Sequence, residues 1–221
     1  MQKKPSAKPR PHPVPAVLMH QVRIIGGRWK RTPLPVLAAD GLRPTPDRVR
    51  ETVFNWLAHL LDGQWDKLAC LDLFAGTGAL GFEAASRGAA SVLMVEAHTP
   101  AVRQLEATRD RLAAPEITVV RGDALTVLQN LVTRGGEGQF NLIFLDPPYH
   151  QDWLARMLPL CRRLLAAGGI VYVEAERQLP DAGHATDCPD WMAGWEIVRA
   201  DRAGMVFYHL LQCGKSTGVE A

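Results

Sequence analysis

From residue 68 onward, short apolar runs alternate with stretches whose apolar residues recur every three or four positions, the signatures of buried strands and amphipathic helices. The pattern predicts strands over Leu68–Phe74, Ser91–Glu96, Ile117–Arg121, Phe140–Asp146 and Gly169–Glu174. Between them it predicts helices over Leu80–Arg87, Pro100–Leu112, Leu125–Thr133 and Trp153–Ala166, the last stopped by Gly168-Gly169. Strands joined by helical crossovers run parallel, and right-handed crossovers cover both faces of the sheet. Trp195–Ala200 and Met205–Leu211 are two further strand-like runs, joined by the short turn Asp201-Arg202-Ala203-Gly204 and so predicted to close the sheet as an antiparallel hairpin. The expected fold class is α/β, a doubly wound, mostly parallel seven-stranded sheet.

Upstream, Thr45-Pro46 reads as a helix N-cap followed by proline at the first helical position. Val49, Val53, Trp56, Leu57, Leu60 and Leu61 follow at helical spacing, which predicts a helix over residues 46–62. Val22-Arg23-Ile24-Ile25, Gly26-Gly27 and Arg28-Trp29-Lys30-Arg31 read as two short strands around a glycine turn, a hairpin with a basic face. The first 20 residues interleave Pro5, Pro9, Pro11, Pro13 and Pro15 with basic side chains, too little apolar surface to offset ordering entropy. The expected organisation is a flexible basic extension over 1–20, a hairpin region over 21–45, the α/β domain over 46–213 and a short tail over 214–221.

The length, 221 residues, suits one domain with an appendage, and 47% hydrophobic with 22% charged residues excludes wholesale disorder. No apolar run approaches the roughly 18 residues that a helical membrane span needs, so no membrane crossing is expected. Ala16–Met19 is too short for a secretory core, and Cys70, Cys161, Cys188 and Cys213 have no paired metal or disulfide spacing. They read as reduced thiols of a cytoplasmic protein with no metal site. Charge is uneven: residues 1–50 hold eleven Lys and Arg against Asp40 and Asp47, a balance of +9, while the rest carries fourteen basic and twenty-one acidic residues, a balance of −7. A polyanionic partner is one reading of that asymmetry, and a solvated basic tail is the other.

Leu71-Asp72-Leu73-Phe74-Ala75-Gly76-Thr77-Gly78 ends the first core strand and opens a helix, the place where open α/β sheets bind ligands. Glycines there admit close backbone approach and supply amides at a helix N-terminus. Gly76, Gly78 and Gly81 also satisfy G-x-G-x-x-G, with Glu96 twenty residues after Gly76, so a dinucleotide is an alternative guest. Asp72 argues against it, because a carboxylate four residues before Gly76 repels a pyrophosphate but suits the ammonium of a methionine moiety. The expected cofactor is S-adenosylmethionine, with Glu96 accepting from the ribose hydroxyls. Asp123, in Gly122-Asp123-Ala124, reads either as an acceptor for the adenine amino group or as a helix cap.

Asp146-Pro147-Pro148-Tyr149 is the most specific feature. Consecutive prolines lack amide donors and fix φ, which stops the strand and holds the acid and the aromatic ring in a fixed relation. The run matches the D/N-P-P-Y/F/W motif of methyltransferases acting on planar exocyclic or amide nitrogens, whose lone pair is delocalised. Asp146 and the Pro147 carbonyl are placed to accept the two N–H hydrogens and turn the lone pair toward a methyl group, while Tyr149 stacks on the base. Such catalysis is positioning and electrostatics. A base must be unpaired or flipped to enter, which favours single-stranded or loop substrates.

With these residues in hand, the chain resembles the RsmD-type 16S ribosomal RNA guanine-N2 methyltransferases over Val22 to Gln212. The resemblance rests on Arg23-Ile24-Ile25-Gly26-Gly27-Arg28-Trp29, on the run from Leu42-Arg43-Pro44-Thr45-Pro46 to Trp56-Leu57, and on Asp72-Leu73-Phe74-Ala75-Gly76-Thr77-Gly78-Ala79-Leu80-Gly81. It implies the class I S-adenosylmethionine-dependent fold and a guanine in a loop of small-subunit ribosomal RNA, within an assembled or assembling 30S subunit, with no obligate protein partner. By resemblance Asp146 to Tyr149 form the catalytic pocket, and Asp72, Gly76, Gly78, Glu96 and Asp123 hold the cofactor. Arg43 and Thr45 fall in an Arg-Pro-Thr segment near the active-site mouth, with Thr45 as a plain helix cap equally open. Arg23, Arg28, Lys30 and Arg31 fit a phosphate-contacting hairpin. His150 faces either substrate or solvent, and the proline-rich start departs from the family's compact one. Alternatives are the same chemistry on DNA adenine or protein glutamine, and a non-catalytic RNA-binding assembly factor. Only 75 residues follow Asp146, and they are expected to finish the sheet, so no DNA-recognition domain is expected among them.

Overall fold

The computed structural model describes residues 22–36, 45–149, 152–180 and 188–214. The 1–20 extension, Arg43 and His150 lie outside the described residues. In chain order the elements are β1 (Val22–Arg23), β2 (Pro33–Leu34), α1 (Asp47–Leu60), β3 (Ala69–Asp72), α2 (Ala79–Ser86), β4 (Ser91–Glu96), α3 (Thr99–Arg111), β5 (Ile117–Arg121), α4 (Ala124–Thr133), β6 (Phe140–Leu145), α5 (Trp153–Leu164), β7 (Leu165–Ala175), β8 (Trp195–Ala203) and β9 (Val206–Cys213). The seven-stranded sheet has the order β5-β4-β3-β6-β7-β9-β8, parallel from β5 to β7, with β9 antiparallel to β7 and to β8. The doubly wound expectation holds.

Each face of the sheet carries its own core. Val49, Val53, Phe54 and Leu57 recur along one stripe of α1 and pack with Phe82 of α2, Leu105 of α3, Phe144 and Tyr172. On the other face, Leu128 of α4 and Met157, Leu158 and Cys161 of α5 cover Leu71, Ile143, Val171 and Val173. Strand residues alternate between the two sets, as the period of two demands. Cys70 and Cys161 are buried free thiols, and burial pushes both up to about 12.

The order reverses between β3 and β6, where Asp72 pairs in register with Phe144. The glycine loop and the diproline corner therefore leave neighbouring strands on the same rim, at the switch point where such sheets bind ligands.

Three local expectations are corrected. The N-terminal hairpin exists, but its second strand is Pro33–Leu34, and residues 28–31 are turn rather than strand. Tertiary contacts decide this: Ile25 and Gly26 amides donate to the buried Glu83 carboxylate at 2.6 and 2.9 Å, and Arg28 and Trp29 amides donate to Ser86 O and Oγ. Gly27 has φ 71°, and a Cβ there would meet Ser86 O at 2.0 Å, so only glycine lets the loop lie on the end of α2. Val22, Ile24 and Leu34 are buried in the same core as α1 and α2. In the closing hairpin, β8 runs on to Ala203, and the turn is Gly204-Met205, because Ala203 and Val206 pair in register. Thr45 does not cap α1: Pro46 is the N-cap, and it makes no side-chain cap bond.

Candidate active site

Five adjacent strands each deliver one carboxylate to the same rim. In spatial order these are Asp123 after β5, Glu96 ending β4, Asp72 ending β3, Asp146 after β6 and Glu174 near the end of β7. The register fixes the ladder, since Glu96 pairs with Arg121, Asp72 with Met94, and Leu145 with Val173.

On the glycine-loop side the main chain holds the acids. The Gly76 amide donates to Glu96 Oε2 and the His98 amide to Oε1, both at 2.8 Å. Asp72, buried at 1% exposure, accepts from the Gly81 amide at 3.1 Å and from Phe74 N–H. Burial outweighs those bonds and pushes its carboxyl up to about 7, with the Glu96 charge adding to the rise. Asp123 caps α4, its Oδ1 accepting from Thr126 N at 2.9 Å and Thr126 Oγ1 at 2.8 Å, which holds it below the usual carboxylate range. The cap reading of Asp123 is thus realised at a rim position. Phe74 stands edge-on to Trp153, with centroids 5.5 Å apart, and Arg156 lies 4.9 Å over the Trp153 ring. Ala75 and Ala124 are buried, and Thr77 is half-buried.

On the other side, Pro147 is buried, while Pro148 and Tyr149 are exposed at the mouth. Asp146 leans on Glu174 and on the Thr45 hydroxyl, whose oxygen lies 3.4 Å from Asp146 Oδ2 and 2.6 Å from Glu174 Oε1. Tyr172 donates to the same Glu174 oxygen at 2.7 Å. Burial, then the charges of Glu174 and Asp72, raise Asp146 well above the ordinary carboxylate value. Burial also raises Glu174 and Tyr172. Arg50, fully buried, holds Thr45 in place by donating to its carbonyl at 3.3 Å, to the Arg23 carbonyl at 2.8 Å and to Asp47 at 2.6 Å.

Sequence reasoning missed Glu174, Tyr172 and Trp153 and left Thr45 open. The signal for Glu174 was present: the acid-at-strand-end pattern that singled out Asp72, Glu96, Asp123 and Asp146 continues onto β7.

The basic residues of the hairpin are unequally paired. Arg23 pairs with Asp47 at 3.0 Å and Arg28 with Glu116, whereas exposed Lys30 and Arg31 have no ion-pair partner among the described residues. A surface depression of about 230 Å³ is lined by Arg23, Lys30, Arg31 and Glu51.

The rim fits S-adenosylmethionine. Each Glu96 oxygen accepts one amide and keeps acceptor capacity for a hydroxyl. The Gly76 Cβ direction is open, with only Phe74 O at 3.9 Å. A dinucleotide fits poorly, because the Gly76 and Gly81 amides that a pyrophosphate would use are already engaged by carboxylates.

A sheet with its order reversed at β3 and β6, and one last strand running back antiparallel, is the fold of class I S-adenosylmethionine-dependent methyltransferases. A family described as Conserved hypothetical protein 95 matches residues 22–212. Ribosomal RNA small subunit methyltransferase D of Escherichia coli strain K12 is 40% identical over 195 residues, covering 87% of this chain and 90% of the relative. The protein of the same name from Haemophilus influenzae is 35% identical, covering 87% and 94%. Among solved structures, an Escherichia coli protein described as a candidate methyltransferase superposes with a TM-score of 0.70 at 35% identity, covering 88% of this chain and 98% of its own. The chain belongs to this family, the RsmD-type methyltransferases.

Proposed function

We propose that this chain transfers the methyl group of S-adenosylmethionine to the exocyclic N2 of one guanine in small-subunit ribosomal RNA. The observation that carries the reading is the position of the Asp146-Pro147-Pro148-Tyr149 corner on the strand next to the glycine loop, at the switch point of the sheet. The substrate follows from the relatives, which are named for small-subunit ribosomal RNA. The assembled or assembling 30S subunit, in the cytoplasm, is the expected setting.

When bound, the cofactor supplies an electrophilic methyl group on a sulfonium. Glu96 would hold the ribose hydroxyls, Asp72 the ammonium, and Phe74, Ala75, Thr77, Gly78, Asp123 and Ala124 the surrounding surface. On the other side of the switch point, Asp146 and the Pro147 carbonyl accept the amine hydrogens and localise its lone pair, while Tyr149 stacks on the base. Base stacking on an aromatic ring contributes about 1–3 kcal/mol and offsets part of the cost of unstacking the guanine. The chain's task at the reacting nitrogen is orientation and stabilisation of developing positive charge.

Asp146→Ala should lower transfer by about a hundredfold to a thousandfold, the loss expected on removing one preorganised transition-state partner. RNA association, measured by filter binding, should stay unchanged. Undiminished transfer would remove Asp146 from the chemistry.

The hairpin is proposed to contact RNA phosphates through Lys30 and Arg31, with Arg23 and Arg28 spending part of their charge on Asp47 and Glu116. Reversing Lys30 and Arg31 to Glu should reduce the slope of log affinity against log salt by about one or two. An unchanged slope would take the hairpin out of the interface.

A further inference from the structure

We propose that Glu174 is a positioning residue that keeps the proton of a carboxyl pair on Asp146, so that a neutral acid, arranged like an asparagine side chain, faces the substrate amine. The inference rests on the methyl-transfer reading above and deepens it.

The count of hydroxyl hydrogens decides where the pair's proton sits. Thr45 and Tyr172 have one O–H each. Both aim at a single oxygen, Glu174 Oε1, at 2.6 and 2.7 Å, while Asp146 Oδ2 lies 3.4 Å from the Thr45 oxygen, whose one hydrogen is already committed. Two donors on one oxygen favour Glu174 as the ion. Asp146 is itself hydrogen-bonded to Glu174, and two carboxyl groups can make that bond only if one is protonated. The proton therefore belongs on Asp146, which donates it to Glu174.

The surroundings agree. Asp72 of β3 adds a further negative charge, while Tyr172 of β7 and Tyr208 of β9, the register partner of Glu174, bring phenols and no cation. Arg50 of α1 reaches the Thr45 carbonyl, but its charge is paired with Asp47. Burial raises both carboxyls; the Thr45 hydroxyl opposes the rise on both, at 2.6 Å from Glu174 against 3.4 Å from Asp146, and the Tyr172 hydroxyl opposes it on Glu174 alone.

A carboxylic acid whose O–H is pinned to Glu174 leaves its carbonyl oxygen as the acceptor. That is the donor–acceptor layout of a carboxamide, and the D/N-P-P-Y/F/W motif admits either residue at this position. The negative charge then sits one side chain behind the acceptor, where it still favours positive charge growing on the amine.

Infrared difference spectra of the cofactor-free protein and single-turnover rates test this together. At neutral pH the wild type should show a protonated-carboxyl band, additional to that of Asp72, that is lost in Asp146→Asn and in Glu174→Gln. Asp146→Asn should lose less than about tenfold in transfer, against about a hundredfold to a thousandfold for Asp146→Ala. Its rate should be flat with pH. Absence of the band, or an Asn variant as slow as the Ala variant, overturns the proposal while leaving the methyl-transfer reading intact. So does a wild-type rate that climbs tenfold per pH unit on a limb missing from the Asn variant, the mark of an ionised base. Full activity in Asp146→Ala would instead defeat the underlying reading.

Discussion

Asp123, Glu96 and Asp72 hang from backbone amides, whereas Asp146 and Glu174, on the next two strands of the same rim, lean on hydroxyls and on each other. The side-chain chemistry is nearly the same, and the supports differ. An amide is fixed by the main chain, so the first three acids form a rigid, largely pre-paired surface suited to one invariant guest. Hydroxyls rotate and carboxyls exchange protons, so the last two form a site whose hydrogen-bonding character depends on proton count. In the proposed function, cofactor and substrate chemistry divide along that line.

The sharpest way to break the division is to remove an acid on the amide side and look for a purely binding defect. Glu96→Ala should weaken S-adenosylhomocysteine binding by about ten- to a hundredfold in calorimetry, the loss expected for a charged hydrogen-bond acceptor. Transfer at saturating cofactor should fall far less. A large loss of saturated rate with normal binding would place Glu96 on the wrong side of the division.

A smaller effect sharpens the role of Asp72. Its carboxyl value is raised to about 7 in the fold, so between the ordinary carboxyl value and about 7 the folded state keeps a proton that the unfolded chain has lost. Stability of the cofactor-free protein should therefore fall as pH rises through that window, by up to about 1.4 kcal/mol per pH unit from this group. Asp72→Asn should flatten the dependence of the urea midpoint on pH. An unaltered slope would mean that Asp72 is ionised throughout.

The same contrast explains what the sequence made legible. The strands, the crossovers and the Asp72, Glu96, Asp123 and Asp146 positions followed from local period and from the habit of strand ends to carry function. These features are short in sequence: the Asp123 cap reaches Thr126, and Asp72 reaches Gly81. Glu174 draws its meaning from Thr45, 129 positions away, and Thr45 is held by Arg50, a charge buried within an otherwise apolar helix face. Periodicity reads Arg50 as an intrusion and Glu174 as the end of a strand. The misplaced second strand of the hairpin has the same origin, because Gly26-Gly27 suggests a tight turn until Glu83 and Ser86 claim the neighbouring amides. Interactions across the fold, rather than weak local signals, separate the sequence reading from the structure.

The account stands most directly on mass mapping of small-subunit ribosomal RNA from a strain lacking this gene, with and without the gene restored. The expected result is one N2-methylguanine that is missing in the deletion, returns with the wild-type gene and does not return with Asp146→Ala. An unchanged set of methylguanines in the deletion strain would contradict it.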